Sequence, residues 1–398
     1  MKILYDLSAT QPSESEGLFH GGGEYAKVVF FRLCELLPPG TSLDVFFDPG
    51  QYTERHIIEN CEARGITINH CFSHPDINAL LQSKNYDVFY SALPYSYRAL
   101  VIPDETKFIY TIHGLRTLEY SMDKYALKYG KASLSKILKY IYFLPFFAKY
   151  RLKRGTGNLT KLLSVTKNQT IITISNHSKY AISYFSRNVD LSRIKVLYSP
   201  LKEFNYDESK DAETLKSFSL EQQKYILLVC GHRNEKGAYR ACRVLHKLIS
   251  NSRIPDDIKV VVLGVSYDRY YLKLTGNNKR FKFHGYVPTE VLESLYKNAH
   301  LFLYPTLNEG FGYPPLEAMK YGTICACSAN SAITEIYGDS VIYFNPHDDT
   351  EMSIRILQSF DEDIRNEKIK KLSARYQQII EKQKQDLDIL VKTIISGS

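Results

Sequence analysis

Residues 301–322, LFLYPTLNEGFGYPPLEAMKYG, decide the fold of this chain. Leu301–Tyr304 is a short apolar run followed by turn residues, which is typical of a strand buried in a parallel sheet. Pro314 and Pro315 suit the first turn of a helix, and Gly322 supplies a left-handed stop. The stretch therefore predicts a strand, a glycine-containing loop and a short helix.

The loop of this stretch is expected at the carboxyl end of its strand, where open α/β sheets bind ligands. Gly310 and Gly312 let the backbone approach a ligand, and a helix start favours negative charge. We expect Glu317 to accept hydrogen bonds from a ribose diol and Glu309 to face the reacting end of the same ligand. We expect neither glutamate in the core. The structural alternative is a helix-dipole role for Glu317 and a solvated loop position for Glu309.

Residues 309–317, EGFGYPPLE, resemble the glutamate-seven-residue-glutamate motif of retaining, sugar-nucleotide-dependent glycosyltransferases of family 4, which have the GT-B fold. The resemblance implies an α/β protein with two Rossmann-like domains, whose parallel sheets face each other across a cleft. It assigns catalysis and the donor sugar to Glu309 and the nucleoside ribose to Glu317. It implies a donor-binding loop made of Gly310, Phe311, Gly312 and Tyr313.

The length of 398 residues allows two α/β domains. We predict an N-terminal Rossmann-like acceptor domain at 1–203 and a nucleotide-sugar donor domain at 204–375. The resemblance implies that a C-terminal helix, 376–398, joins the first domain. The polar segment 200–223 is the candidate linker.

Short apolar runs alternating mostly with helix-sized intervals predict the strands of two parallel sheets. The predicted strands of the first domain are 2–7, 43–47, 66–71, 87–93, 108–112, 171–175 and 194–198, and those of the second are 225–231, 258–264, 281–287, 301–304, 323–327 and 341–344.

Two cations follow the first predicted strand of the second domain, in the sequence GHRNEKG at 231–237. Arg233 can fork across two phosphate oxygens and Lys236 adds a point charge, although a pair of solvated charges is the alternative. The resemblance assigns both to the diphosphate, with wider spacing in the family, and makes Lys236 catalytic through the leaving group. No Asp-x-Asp motif lies at a strand end. We therefore expect no metal, and no cofactor besides the nucleotide-sugar substrate.

Two further candidate positions lie in the first domain. A glycine turn containing Gly22 and Gly23 precedes the predicted helix 24–37, and such a turn either admits a ligand or is simply flexible. The resemblance assigns these glycines to donor phosphate or acceptor. His113 ends the run FIYTIH and hence a strand. The resemblance makes it a catalytic residue near the donor sugar, although Gly114 replaces the family's Asp; a hydrogen-bonded loop histidine is the alternative.

The net charge of +8 is unevenly distributed, since ten Lys or Arg and one acid, Asp123, lie between 120 and 161. Basic and aromatic residues interleaved in this way favour an anionic membrane surface over nucleic acid, which we do not expect as a partner. A helix pair with a solvated face is the alternative. The longest apolar run, 140–148, is far below the roughly 20 residues that span a bilayer.

Seven cysteines without a CxxC pair indicate reduced thiols of a cytoplasmic protein, and MKILYDLSAT predicts a strand rather than a signal peptide. The resemblance implies retaining transfer of a hexosyl group from a nucleotide sugar to a glycan or lipid-linked acceptor. Bacterial O-antigen or capsule synthesis, at the cytoplasmic face of the membrane, is the expected setting. The alternatives are an inactive GT-B partner protein and a Rossmann oxidoreductase, for which the GxGxxG turn is missing.

Overall fold

The structure is a computed structural model that describes residues 1–12, 20–120, 123–131, 133–186, 189–200 and 206–397. The chain divides into two compact units. Unit 1 contains Met1–Leu118, Leu152–Lys202 and Ile380–Ser398, and unit 2 contains Glu119–Arg151 and Glu203–Ile379.

Unit 1 is built on a parallel sheet of seven strands among the described residues, with the order β3-β2-β1-β4-β5-β6-β7. The strands are β1 Lys2–Asp6, β2 Ser42–Phe47, β3 Thr67–His70, β4 Val88–Ser91, β5 Lys107–Ile112, β6 Gln169–Thr173 and β7 Ile194–Val196.

Unit 2 is built on a second parallel sheet, of six described strands in the order β10-β9-β8-β11-β12-β13. The strands are β8 Tyr225–Leu228, β9 Lys259–Val262, β10 Phe281–Phe283, β11 Leu301–Tyr304, β12 Cys325–Ser328 and β13 Ile342–Phe344. The order reverses between β8 and β11, as in Rossmann sheets, and such a reversal opens a ligand crevice at the carboxyl ends of the two strands.

Most of the described helices lie between strands in the chain, and the last two follow β13. They are α1 Gly21–Leu36, α2 Arg55–Ala63, α3 His74–Ser83, α4 Arg116–Glu119, α5 Leu134–Tyr142, α6 Ala148–Leu163, α7 Asn176–Phe185, α8 Asp211–Ser217, α9 Ala238–Ser250, α10 Arg269–Thr275, α11 Thr289–Lys297, α12 Tyr313–Met319, α13 Ile333–Tyr337, α14 Asp349–Gln358 and α15 Glu362–Ser396. Among them, none is long and apolar enough to cross a membrane.

The strands form because their apolar runs are buried on both faces of each sheet. All residues of β4, β8 and β11 are buried, and so are nearly all residues of the other central strands. In unit 1 the rings of Phe89 and Phe108 stack across neighbouring strands at 4.9 Å. Every predicted strand is found, with ends that differ by a few residues, because burial of a run determines a strand better than it determines where the strand stops.

Residues 119–151 cluster with unit 2, whereas the sequence-based division placed them in the first domain. The reason is a set of contacts with α9. The Arg240 guanidinium donates to the buried Asp123 carboxylate at 2.6 Å, and the rings of Tyr129 and Tyr239 lie 6.1 Å apart. Chain order carries no signal for such contacts.

The predicted boundary at 203/204 falls in 201–205, outside the described residues. After residue 205, the segment interpreted as a linker contains α8, which begins at Asp211 and buries Thr214. The last helix contributes residues 362–379 to unit 2, and 380–398 belong to unit 1, where the sequence analysis expected the change near 376.

Candidate active site

The reversal of strand order in unit 2 places two loops side by side, one after β8 and one after β11. The first carries Arg233 and Lys236, and the second carries Glu309 and the glycines. Ligands of doubly wound sheets bind at this point. The two loops that the sequence analysis selected separately therefore form one site.

A buried ion pair joins these loops. The Lys236 Nζ lies 2.5 Å from the Glu309 Oε1, and both side chains are less than one-tenth exposed, at 8% and 7%. The expectation that neither glutamate lies in the core is wrong for Glu309. A carboxylate is buried here because a cation and several donors compensate for its lost hydration.

Two hydroxyl groups also contact the Glu309 carboxylate. The Tyr304 hydroxyl donates to Oε1 at 2.6 Å and accepts from Lys236 Nζ at 2.8 Å, while the Thr306 hydroxyl donates to Oε1 at 2.7 Å. The Glu309 backbone N–H donates to the Ser331 hydroxyl at 2.8 Å. Sequence reasoning missed Tyr304, which it interpreted only as the last apolar residue of a strand. A hydroxyl-bearing residue at the carboxyl end of a buried strand was the available signal.

Glycine is required at two positions of the site. Gly237 has φ +70°, and a Cβ there would lie 2.0 Å from the Pro305 carbonyl oxygen of the facing loop. Gly312 has φ +90°, and its Cβ would meet the Ile333 side chain at 2.5 Å. Positive φ is strained for residues with a Cβ. Gly237 thus allows the two loops to lie close together, and Gly312 allows its loop to pack against α13.

The remaining donor-loop residues differ in exposure. Phe311 is buried and its ring lies 5.3 Å from that of the half-buried Tyr313, which is the first residue of α12. Gly310 is half-buried between Glu309 and Phe311. The helix begins at Tyr313, before the two prolines, so it is slightly earlier than the sequence indicated.

Arg233 lies in the same loop as Lys236, but its described ion pair is local. Its Nε donates to the Glu235 Oε1 at 2.7 Å, and the arginine side chain is 24% exposed. The cation of Lys236 is thus paired across the site, whereas Arg233 is paired within its own loop.

Glu317 lies in α12 and is half-buried. Its Oε2 accepts a hydrogen bond from the Tyr296 hydroxyl at 2.9 Å. Burial raises the pKa of Glu317 to about 7, with repulsion from Glu293 acting in the same direction and the Tyr296 hydrogen bond opposing it. This carboxyl group therefore titrates near neutral pH, a property found more often at functional sites than elsewhere.

In unit 1, the residues assigned to the first domain also lie at the carboxyl ends of strands. His113 follows β5, and its Nε2–H donates to the Ala92 carbonyl at 3.0 Å, which leaves Nδ1 as an acceptor. The Tyr25 ring meets the imidazole edge-on, with ring centres 4.6 Å apart. Burial lowers the pKa of His113 to about 4, so the ring is neutral at pH 7.

Gly22 and Gly23 lie in the first turn of α1. The Gly23 N–H donates to the Nδ1 of His20, the N-cap residue, at 3.0 Å. A Cβ on Gly22 would meet the Leu93 side chain at 2.8 Å, which follows β4. These glycines permit close packing at the strand ends of unit 1.

Glu119 and Tyr120 contact the two site loops of unit 2. The Tyr120 hydroxyl donates to Asn234 at 2.9 Å, and the Asn308 amide donates to Glu119 at 3.0 Å. Asn234 belongs to the loop that carries Arg233 and Lys236, and Asn308 precedes Glu309. Sequence reasoning missed this support because it placed 119–120 in the other domain.

Within the described residues, no group of three or more His, Cys, Asp or Glu side chains is arranged to hold a metal.

Comparison with known proteins points to one family. Residues 210–376 match the family described as Glycosyl transferases group 1. The O-antigen chain mannosyltransferase B of Escherichia coli is 43% identical over 82 residues, which is 21% of this chain and 22% of that protein. The O-antigen chain mannosyltransferase RfbU of Salmonella typhimurium is 27% identical over 194 residues, which is 47% of this chain and 50% of that protein. The chain thus spans about half the length of these relatives, or less.

Solved structures show the same fold. HepE from Anabaena, crystallised in complex with UDP and glucose, matches with a TM-score of 0.65 at 13% identity, covering 98% of this chain and 100% of that chain. WaaG, a glycosyltransferase involved in lipopolysaccharide biosynthesis, matches with a TM-score of 0.60 at 14% identity, covering 98% and 99%. The predicted GT-B fold is confirmed.

Proposed function

We propose that the chain is a retaining glycosyltransferase of family 4 that transfers a hexosyl group from a nucleotide sugar to a glycan or lipid-linked acceptor. Bacterial surface polysaccharide synthesis, of an O-antigen or a capsule, is the proposed setting. The observation that carries the proposal is the cluster of Lys236, Tyr304 and Glu309 at the strand reversal of unit 2. This cluster lies inside the region that matches the glycosyl transferase family.

The comparisons indicate which sugar and which leaving group to test first in the donor. Relatives named as O-antigen mannosyltransferases support mannose as the transferred sugar. HepE, the structural neighbour solved with UDP and glucose, supports a nucleoside diphosphate as the leaving group. A nucleotide-activated mannose is therefore the first donor to test.

In the proposed reaction, the bond between the anomeric carbon and the diphosphate oxygen breaks while the acceptor oxygen bonds to the same face of that carbon. The acceptor proton passes to the leaving phosphate oxygen. Lys236 stabilises the negative charge on that oxygen, with Arg233 beside it in the same loop. An ammonium group has three donors, and Tyr304 and Glu309 account for two of them. A preorganised cation of this kind acts without rearrangement at the moment of reaction.

Glu309 orients the donor sugar in this proposal, and its negative charge favours the positive charge that develops at the anomeric carbon. Three donors hold its Oε1 in place, so the carboxylate is positioned before the donor arrives. Gly310, Phe311, Gly312 and Tyr313 contact the sugar and phosphates. Leaving-group stabilisation is assigned to cations of the chain, so the proposed reaction requires no added metal.

Glu317 binds the ribose hydroxyls in this proposal. An ionised carboxylate accepts hydrogen bonds from a diol, whereas a protonated carboxyl group also presents a donor. Because its pKa is about 7, donor binding should weaken as the pH falls below neutral.

The acceptor side of the reaction is assigned to unit 1. The neutral ring of His113, with Nδ1 as an acceptor, is proposed to lie near the donor sugar, and Gly22 and Gly23 to contact donor phosphate or acceptor. We place the protein in the cytoplasm, since all seven of its cysteines are free thiols.

The experiment is incubation of the purified protein with a panel of GDP-, UDP- and dTDP-sugars, with and without lipid-linked glycan acceptors, while nucleoside diphosphate release is measured. We expect faster release from a mannosyl nucleotide than from the other donors, and a Lys236→Met variant with the same fold should lose this activity. Release that absolutely requires an added divalent metal would contradict the assignment of Lys236. A folded protein that binds no donor would instead indicate an inactive partner protein.

Retention is tested separately. The proton NMR coupling constant of the new anomeric centre identifies the product configuration, and we expect the configuration of the donor. An inverted product would leave the transferase activity intact but reject the family 4 mechanism.

A further inference from the structure

An apolar surface is exposed on unit 2 between residues 134 and 150, in α5, the turn Pro145–Phe147 and the start of α6. We call it the 134–150 surface. Six of its large apolar side chains and one tyrosine are exposed to solvent: Leu134, Ile137, Leu138, Ile141, Leu144, Phe146 and Tyr150. Exposed apolar side chains are common singly, but a contiguous group marks an interaction surface.

The helix α5 carries its apolar residues on one face. Leu134, Ile137, Leu138 and Ile141 follow the spacing i, i+3, i+4, i+7, and Leu134 and Leu138 are 73% and 57% exposed. In the following turn, Phe146 is 88% exposed. A surface helix normally buries such a face against its own protein. Here the face points to solvent, so the burial that would stabilise it comes from a partner.

The charge around this face identifies the partner. Between Asp123 and Asp190 the sequence contains no acidic residue, and Lys131, Lys136 and Lys149 flank the apolar side chains. Their positions are exposed. A surface with apolar and cationic side chains interleaved fits the interface of an anionic bilayer, where apolar groups enter and cations meet lipid phosphates. A second copy of the chain fits less well, because it would bring like charges together.

Two sets of contacts hold the surface in shape. Arg151 donates to the carbonyls of Tyr142 and Leu144 at 2.8 and 3.1 Å and lies over the Phe143 ring at 4.8 Å, which fixes the bend after α5. Nearer the start of the segment, the Asp123–Arg240 pair attaches it to α9. The surface is therefore a built part of unit 2.

We propose that the 134–150 surface docks the protein on anionic membranes, with the side chains of α5 and Phe146 inserted at the lipid interface. The surface lies on the unit that carries Lys236 and Glu309, where the sequence analysis had placed it on the other domain. This inference does not depend on the chemistry proposed for the site, since it concerns binding to lipid.

The test is sedimentation of the full chain with vesicles of phosphatidylcholine alone and of phosphatidylcholine mixed with phosphatidylglycerol. We expect binding to the mixed vesicles, release by salt, and little binding to the neutral ones. Phe146→Ser should lower the partition coefficient about tenfold, since a buried phenylalanine contributes that much or more. Lys136→Gln should lower it about fivefold.

Phe72→Ser is the matched control, because Phe72 is a 69% exposed phenylalanine of unit 1 outside the surface. It should bind like the wild type, and circular dichroism checks that all variants are folded. The proposal would be overturned if the wild type bound neither vesicle type or bound both equally. It would also be overturned if Phe146→Ser and Phe72→Ser lost vesicle binding equally. Self-association that Phe146→Ser abolishes while vesicle binding is unchanged would overturn it as well. Nucleoside diphosphate release is measured without vesicles, so its outcome is independent.

Discussion

Replacement of Lys236 by Met tests the buried pair at the centre of the site. Met keeps an unbranched chain of similar length but removes the charge. The Nζ and Oε1 atoms lie 2.5 Å apart, and at an effective dielectric constant of about 20 their gross attraction is roughly 6–7 kcal/mol. Desolvation of the two ions offsets much of this. Breaking the pair from one side costs more than its net value, because it leaves the Glu309 carboxylate buried without a cation, and such losses are about 3–5 kcal/mol.

Lys224→Met is the matched control. Lys224 and Asp257 are also 2.5 Å apart and also belong to unit 2, but their side chains are 45% and 50% exposed. An exposed pair contributes little to stability, because water screens its charges. The assay is urea unfolding followed by far-ultraviolet circular dichroism, and a Lys236→Met, Glu309→Gln double variant completes a cycle. We expect the double variant to lose less than the sum of the single losses, by at least about 1 kcal/mol.

A loss for Lys236→Met no larger than that for Lys224→Met would refute the reasoning. It would mean that the Glu309 carboxylate is hydrated or protonated in the folded protein, so that the site is not preorganised. Full additivity in the cycle would show that the two side chains do not interact.

Three further changes follow from the structure. The pKa of Glu317 is raised from its ordinary value of 4.5 to about 7. As the pH rises from 4.5 to 7, the unfolded chain loses this proton before the folded chain does, so the free energy of unfolding should decrease. The decrease should be smaller in Glu317→Gln, and parallel curves for the variant and the wild type would contradict this. Gly237→Ala should lower the unfolding midpoint much more than Gly322→Ala, since both have positive φ but only Gly237 meets a facing carbonyl; equal midpoints would contradict the close loop packing. Asp123→Asn should speed proteolysis of 119–151, because Arg240 loses its buried partner; an unchanged rate in limited trypsin digestion would show that the ion pair does not anchor the segment.

The strands and the two glutamates were predictable because their signals are local. An apolar run such as Leu301–Tyr304 is buried wherever the sheet forms around it, and the loop that follows must lie at the ligand edge. Gly322 has φ +77°, as its place after the helix predicted. Burial and backbone conformation at these positions depend on neighbouring residues in the chain.

Contacts between residues that are far apart in the chain were not predictable from one sequence. Lys236 and Glu309 lie 73 positions apart, and nothing in either loop indicates that they pair. Tyr304 was interpreted only as a core residue, because one partner of its hydroxyl, Lys236, comes from the loop after β8, 68 positions earlier in the chain. The attachment of 119–151 to unit 2 depends on Asp123 meeting Arg240, 117 positions later. Which charges meet is decided by strand order and helix packing.

The most direct test of the proposed site is the steady-state rate of nucleoside diphosphate release by Glu309→Gln, measured with the donor that the wild type uses. The account predicts that kcat falls about 100-fold or more while the donor KM changes little, because the carboxylate acts on charge that develops in the transition state. Glu317→Gln should instead raise the donor KM, since a ribose contact is similar in ground and transition states. A wild-type kcat in Glu309→Gln, in a protein that remains folded, would contradict the assignment of Glu309 to the reacting end of the donor.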